Sequence, residues 1–198
     1  PATLTMTSVR RVVIISGAGK GLGRAYAHHL AARGYAVVVN NRRHDDDVET
    51  SADAVVREIR AAGGDAVANY GAAEDPATGE ALLALAMESF GRLDAVIANA
   101  GVSEAATFRR QDHQSITHNI TINLLGTAYL LLPTFRHLYA QGSGRVLVST
   151  SAAGLYGEHG LPAYSAAKAG VIGLMRSLAL EGRSHGVFVN AIAPFART

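Results

Sequence analysis

The chain has 198 residues, 48% of them hydrophobic and 17% charged, with a net charge of +2 and no cysteine. That balance fits one globular domain with a real core and excludes a largely disordered chain. It also excludes a disulfide scaffold and thiolate metal sites, and so small a net charge gives no case for a nucleic-acid surface. No apolar run reaches spanning length, and the first residues lack the charged segment and long apolar stretch of a signal peptide, so a soluble cytoplasmic protein without membrane association is expected. Residues 1–7 read as an unstructured leader.

Val12–Ile15 is a continuous β-branched run that meets glycine at once, the pattern of a strand buried on both faces. Residues 16–23 form a glycine-rich turn, residues 24–33 an Ala-rich helix closed by Gly34, and residues 36–39 a second strand ending at Asn40. The alternation continues with a helix over 51–62, a weak strand over 66–68, a helix over 76–90 and a strand over 93–98 that runs into Asn99-Ala100-Gly101. A long helical stretch over 111–139 is expected to kink near Pro133. A strand over 145–149, a helix over 162–183 and a strand over 187–192 complete the pattern. Strands alternating with helices of ten or more residues call for a doubly wound parallel sheet, Rossmann-like, in three α/β/α layers. No linker or repeat divides it, so residues 1–198 read as a single dinucleotide-binding domain.

The turn Ser16-Gly17-Ala18-Gly19-Lys20-Gly21-Leu22-Gly23 leads from a buried strand into a helix, so free backbone N–H groups and the positive end of the helix dipole meet at one point. Gly17, Gly21 and Gly23 lack the Cβ atoms that would hold phosphates away. Lys20 is followed by Gly21 and not by Ser or Thr, which disfavours a magnesium-binding mononucleotide loop. About twenty residues on, an acid for the ribose 2′-hydroxyl of NAD would be expected. The chain offers Asn40, Asn41, Arg42 and Arg43 there, and paired guanidiniums suit a phosphate. NADP(H) is favoured on this ground and NAD(H) is the alternative.

Tyr164 and Lys168 stand four apart at the start of a helical stretch, which stacks a phenol and an ammonium on one face. A fixed cation beside a phenol favours the phenolate and brings a weak base into working range. Asn99 either borders a bound ribose or stabilises its own turn. Tyr156 and His159 precede the helix as loop residues; they read first as solvated surface positions, and contact with a substrate is the alternative. The remaining histidines show no spacing that converges on a metal, so no metal site is expected.

Taken together these segments resemble the short-chain dehydrogenase/reductase family over almost the whole chain. Ser16 to Gly23 matches the family's Thr-Gly-x-x-x-Gly-x-Gly with Ser for Thr, Asn99-Ala100-Gly101 matches its Asn-Ala-Gly, and Tyr164 to Lys168 matches its Tyr-x-x-x-Lys. Ser151 stands thirteen residues before the tyrosine, as in the family, and Asn123 matches its helix asparagine. Within the family, stretches such as Gly23 to Ala27, Val67 to Tyr70 and Ser151 to Gly157 are most similar to 3-hydroxyacyl-CoA dehydrogenases. Those carry an acid where this chain has Asn41, and an aspartate expected near Gly71 is absent.

The resemblance implies an oxidoreductase acting on a secondary alcohol or ketone, with a 3-hydroxyacyl or 3-oxoacyl thioester of coenzyme A or acyl carrier protein as the favoured small-molecule substrate. It implies catalytic roles for Ser151, Tyr164, Lys168 and Asn123: Tyr164 as proton donor, Lys168 lowering its pKa, Ser151 holding the carbonyl and Asn123 supporting a water. Cofactor contacts are implied at Ser16, Gly17, Lys20, Gly21, Leu22, Gly23, Asn41, Arg42, Asn99, Ala100, Gly101, Tyr164, Lys168 and Pro194. Relatives continue past Thr198 through a substrate-covering segment and a seventh strand, and they form homodimers or homotetramers through their two long helices. The small residues Ala166, Ala169, Gly170, Gly173 and Ser177 suit such close helix contact. A carbonyl or steroid reductase of the same family is the enzymatic alternative. A cofactor-sensing protein without turnover is the alternative of another class, and it would have no need of Ser151, Tyr164 and Lys168 together.

Overall fold

The structure is a computed structural model that describes residues 10–43 and 48–194. The expected leader at 1–7 lies outside the described residues. Six parallel strands, β1 (Val12–Ile15), β2 (Ala36–Asn40), β3 (Ala66–Asn69), β4 (Ala95–Ala98), β5 (Gly144–Ser149) and β6 (Val187–Ile192), form one sheet in the order β3-β2-β1-β4-β5-β6. The chain leaves β1 toward β2 and β3, then returns to the other side of β1 for β4. That reversal opens a crevice at the carboxyl ends of β1 and β4, where neighbouring connections diverge.

The alternation of β side chains decides which residues fill which layer. Val12 and Ile14 point into a core with Leu82, Leu130, Leu131, Leu138 and Val171, from α3 (Ala77–Phe90), α5 (Gly126–Gln141) and α7 (Pro162–Gly182). Val13 and Ile15 point the other way, onto Ala27 of α1 (Gly21–Ala32) and Ala52, Val55, Val56 and Ile59 of α2 (Ser51–Ala61). Every residue of β1 is therefore buried, which is why its sequence shows no polar alternation. The three-layer arrangement expected from the sequence is present.

Three local differences bear on the site. The first helix begins at Gly21, inside the glycine turn, and not at residue 24. The long helical stretch comprises α4 (His113–Ile120), a π-helical turn at Thr121–Leu125 and α5. Its irregularity therefore falls at Asn123, while the helix continues through Pro133. A short helix, α6 (Ala152–Tyr156), interrupts the segment read as a loop between β5 and α7.

Candidate active site

The glycine turn is held from behind by a latch. Ser16 follows β1, and its Oγ accepts hydrogen bonds from the backbone N–H groups of Asn99 and Ala100, at 3.1 Å each. Asn99 returns the contact, its Nδ2 donating to Gly17 O at 3.2 Å while its Oδ1 accepts from Ser149 Oγ at 3.2 Å. Carboxyl ends of β1, β4 and β5 are thereby tied into one rim. Gly17 and Gly21 adopt φ of +64° and +52°, a conformation costly for other residues. Lys20 caps α1 without a side-chain hydrogen bond, so the first-turn N–H groups remain open toward the crevice.

A cleft of about 550 Å³ runs along this rim. At one end stand Lys20, Asn41, Arg42 and Glu74; at the other stand Ser151, Tyr164, Lys168 and Pro194. Gly17, Gly21, Leu22, Asn99, Ala100 and Gly101 line the floor between them. Ser16, Gly23 and Asn123 are the predicted site residues that do not line it. An added Cβ at Gly23 would lie 2.1 Å from Gly17 O and 2.7 Å from Asn99 Nδ2, so this glycine lets the helix close onto the turn, not a ligand onto the helix. Open N–H donors, flanking cations and a floor of small residues fit the pyrophosphate and ribose groups of a dinucleotide.

At the far end, Ser151 is the N-cap of α6, its Oγ accepting from Ala153 N at 3.2 Å. Lys168 is only 4% exposed. Its Nζ donates to Ser149 O at 2.9 Å and lies 5.6 Å from the centre of the Tyr164 ring. Thr150 Oγ1 donates to Lys168 O at 2.8 Å and fixes the helix against β5. Burial pushes the Lys168 ammonium down to about 8. Burial also pushes the Tyr164 phenol up, partly opposed by the Ser151 hydroxyl and helped by the Glu158 charge. The expected depression of Tyr164 by Lys168 is thus not found, because the ammonium faces the ring and the Ser149 carbonyl and desolvation dominates.

Asn123, fully buried in the π-helical turn, donates through Nδ2 to Val102 O at 2.9 Å and Asn119 O at 3.0 Å, while its Oδ1 accepts from Val102 N at 3.2 Å. Gly101 separates it from Lys168: an added Cβ there would lie 2.7 Å from Asn123 Oδ1 and 3.3 Å from Lys168 Nζ. Tyr156 is 86% exposed at the end of α6 and lies apart from the cleft lining. No group of three or more metal-ligating side chains occurs among the described residues.

The short chain dehydrogenase family model matches residues 11–196. The chain belongs to the short-chain dehydrogenase/reductase family. It is 43% identical to peroxisomal multifunctional enzyme type 2 of Mus musculus over 94% of its own length, which is 25% of that enzyme. It is 38% identical to a 3-oxoacyl-[acyl-carrier-protein] reductase of Synechocystis sp., over 93% of this chain and 73% of the other. A crystal structure of a short chain dehydrogenase from Mycobacterium avium superposes with a TM-score of 0.89 at 39% identity, covering 96% of this chain and 70% of that one. The family is one of NAD(P)-dependent enzymes, and these relatives are named dehydrogenases, reductases or multifunctional enzymes.

Several residues of this short-chain dehydrogenase act on the site in ways the sequence did not assign to them. Asn40 is buried and donates to Asn69 Oδ1 and Gly71 O, at 2.9 Å each, which locks the ends of β2 and β3 beneath the cleft. Ser149 contributes its carbonyl to Lys168 and its hydroxyl to Asn99. Glu74 faces Arg42 across the cleft end, at 3.6 Å. A polar residue closing an otherwise apolar strand, as Asn40 and Ser149 do, was the available signal; Glu74 had none, because its loop position is set by the fold.

Proposed function

We propose that the protein transfers hydride between NADP(H) and a secondary alcohol or ketone, with a 3-hydroxyacyl or 3-oxoacyl thioester, on coenzyme A or acyl carrier protein, as the favoured substrate. The observation that carries the reading is that Ser151, Tyr164 and Lys168 share one end of a cleft whose floor is the glycine turn. Neutral Asn41 between Lys20 and Arg42 supports the 2′-phosphate of NADP(H) over the free hydroxyl of NAD(H). The thioester is supported by the residue-level likeness to 3-hydroxyacyl-CoA dehydrogenases and by the reductase named from Synechocystis.

Hydride is the chemistry the nicotinamide supplies when bound. Tyr164 gives its proton to the carbonyl oxygen in reduction and takes it back in oxidation, and a phenol whose proton is held by burial suits the donor role. Ser151 Oγ orients the carbonyl and stabilises the charge growing on its oxygen. Lys168, held by Ser149 and Thr150, positions the nicotinamide ribose and returns protons to Tyr164. Asn123, whose Oδ1 faces the same glycine as the ammonium, supports a water that takes part in that exchange. Residues 1–198 act as one dinucleotide-binding domain and pair as a homodimer or homotetramer through α5 and α7.

The test follows NADPH and NADH oxidation with acetoacetyl-CoA and a panel of ketones. Turnover of the thioester with NADPH as the better reductant is expected. Faster turnover with NADH overturns the cofactor assignment, and turnover of simple ketones alone overturns the substrate assignment.

A further inference from the structure

Arg42 is the guanidinium that would bind a 2′-phosphate, yet its Nη1 stands 3.6 Å from Glu74 Oε1. Both side chains line the same end of the cleft, between Lys20 on the glycine turn and Gly71 after β3. A carboxylate at this place has two effects on an incoming phosphate. It repels the phosphate as a like charge, and it offers Arg42 a competing partner that must be given up first. Toward a ribose with a free 2′-hydroxyl it does neither.

We infer that Glu74 is a specificity-determining residue, a built-in counter-ion for Arg42 that tempers the preference for the 2′-phosphate and admits the unphosphorylated cofactor. The inference rests on the NADP(H) reading above. Asn41 cannot share the role: it is uncharged, and its Nδ2 donates to Ser51 Oγ at 2.9 Å. Glu74 has no side-chain partner but Arg42 among the described residues, so Glu74→Gln removes the charge at little risk to the fold. Because the pair is partly exposed, the expected effect is moderate.

Calorimetric titration with adenosine 2′,5′-bisphosphate and with 5′-AMP separates the 2′-phosphate from the rest of the nucleotide. The wild-type protein is expected to bind the bisphosphate more tightly, and Glu74→Gln to tighten it a further threefold to tenfold while leaving 5′-AMP unchanged. In an Arg42→Met background that gain should shrink to less than twofold. If the wild type prefers the bisphosphate and Glu74→Gln changes nothing, the counter-ion role is wrong and the NADP(H) reading stands. If the wild type binds 5′-AMP at least as well, the NADP(H) reading falls. In that case a phosphate preference created by Glu74→Gln keeps the counter-ion role, and any other response of the variant, weakened 5′-AMP above all, removes it.

Discussion

Tyr164 and Lys168 illustrate how one buried environment acts in opposite directions on an acid and a base. Desolvation disfavours whichever form is charged, so it holds the proton on the phenol and loosens it from the ammonium. A phenol that keeps its proton is ready to protonate a carbonyl oxygen, and Tyr164→Phe removes the hydroxyl that carries it. Turnover should fall by about 10²–10⁴-fold while NADPH affinity, measured by fluorescence titration, changes little. A loss below tenfold would take Tyr164 out of the reaction. Lys168 makes a second statement, about stability. Its value of about 8 in the folded chain lies below the ordinary 10.5 that the unfolded chain retains. Below pH 8 both states hold the proton, and folding carries the full cost of burying the charge. Between about 8 and 10.5 the unfolded chain holds more protons at this residue, so the Lys168 contribution to stability rises with pH across that window. The rise should amount to about 2 kcal/mol after allowance for screening. Calorimetry from pH 8 to 10 without added cofactor should show it in the wild type and not in Lys168→Met.

The glycine turn is the element where sequence said most and structure added most. Spacing alone placed Gly17, Gly21 and Gly23 between a buried strand and a helix, because continuous β-branched residues and an Ala-rich run admit few other readings. Spacing could not say what each missing Cβ faces. Gly17 has a positive φ, whereas Gly23 is required because the Gly17 carbonyl and Asn99 press against it. Gly23→Ala should therefore push the turn and α1 apart, with a stability loss of about 1–3 kcal/mol in chemical denaturation and weaker NADPH binding alongside. Unchanged binding in a folded variant would show that the turn adapts without cost. Other elements were silent for physical reasons. Five residues are too few for periodicity to reveal α6. The π-helical turn at Thr121–Leu125 arises where Asn123 turns inward to bond Val102, a tertiary contact that leaves no local pattern. Ser16 was placed in the site for its position in the motif, but its hydroxyl is occupied by the Asn99 and Ala100 amides behind the cleft.

At the scale of the molecule, the order of strands was not written in any one segment, although alternating strands and helices left little choice but a parallel sheet. Once β4 returns beside β1, glycine turn, Asn99 loop and the Ser151 and Tyr164 segments all converge at one crevice. Hydrophobicity was equally legible, but the surface that covers it was not. α5 and α7 bury one side against the sheet and turn another outward, where Leu132, Tyr139, Leu174 and Leu178 border a groove of about 520 Å³. Leu132 is 54% exposed, a cost in water that a second copy would remove. Arg136 and Glu181 at the groove's edge have the opposite charges that a two-fold contact can pair across copies. Sedimentation velocity at micromolar concentration should give a dimer or tetramer. Leu132→Glu places a carboxylate in that contact and should release monomers whose far-ultraviolet spectrum is unchanged. A monomeric wild type would leave the groove without a partner of its own kind, and assembly of Leu132→Glu equal to that of the wild type would move the interface elsewhere on the molecule.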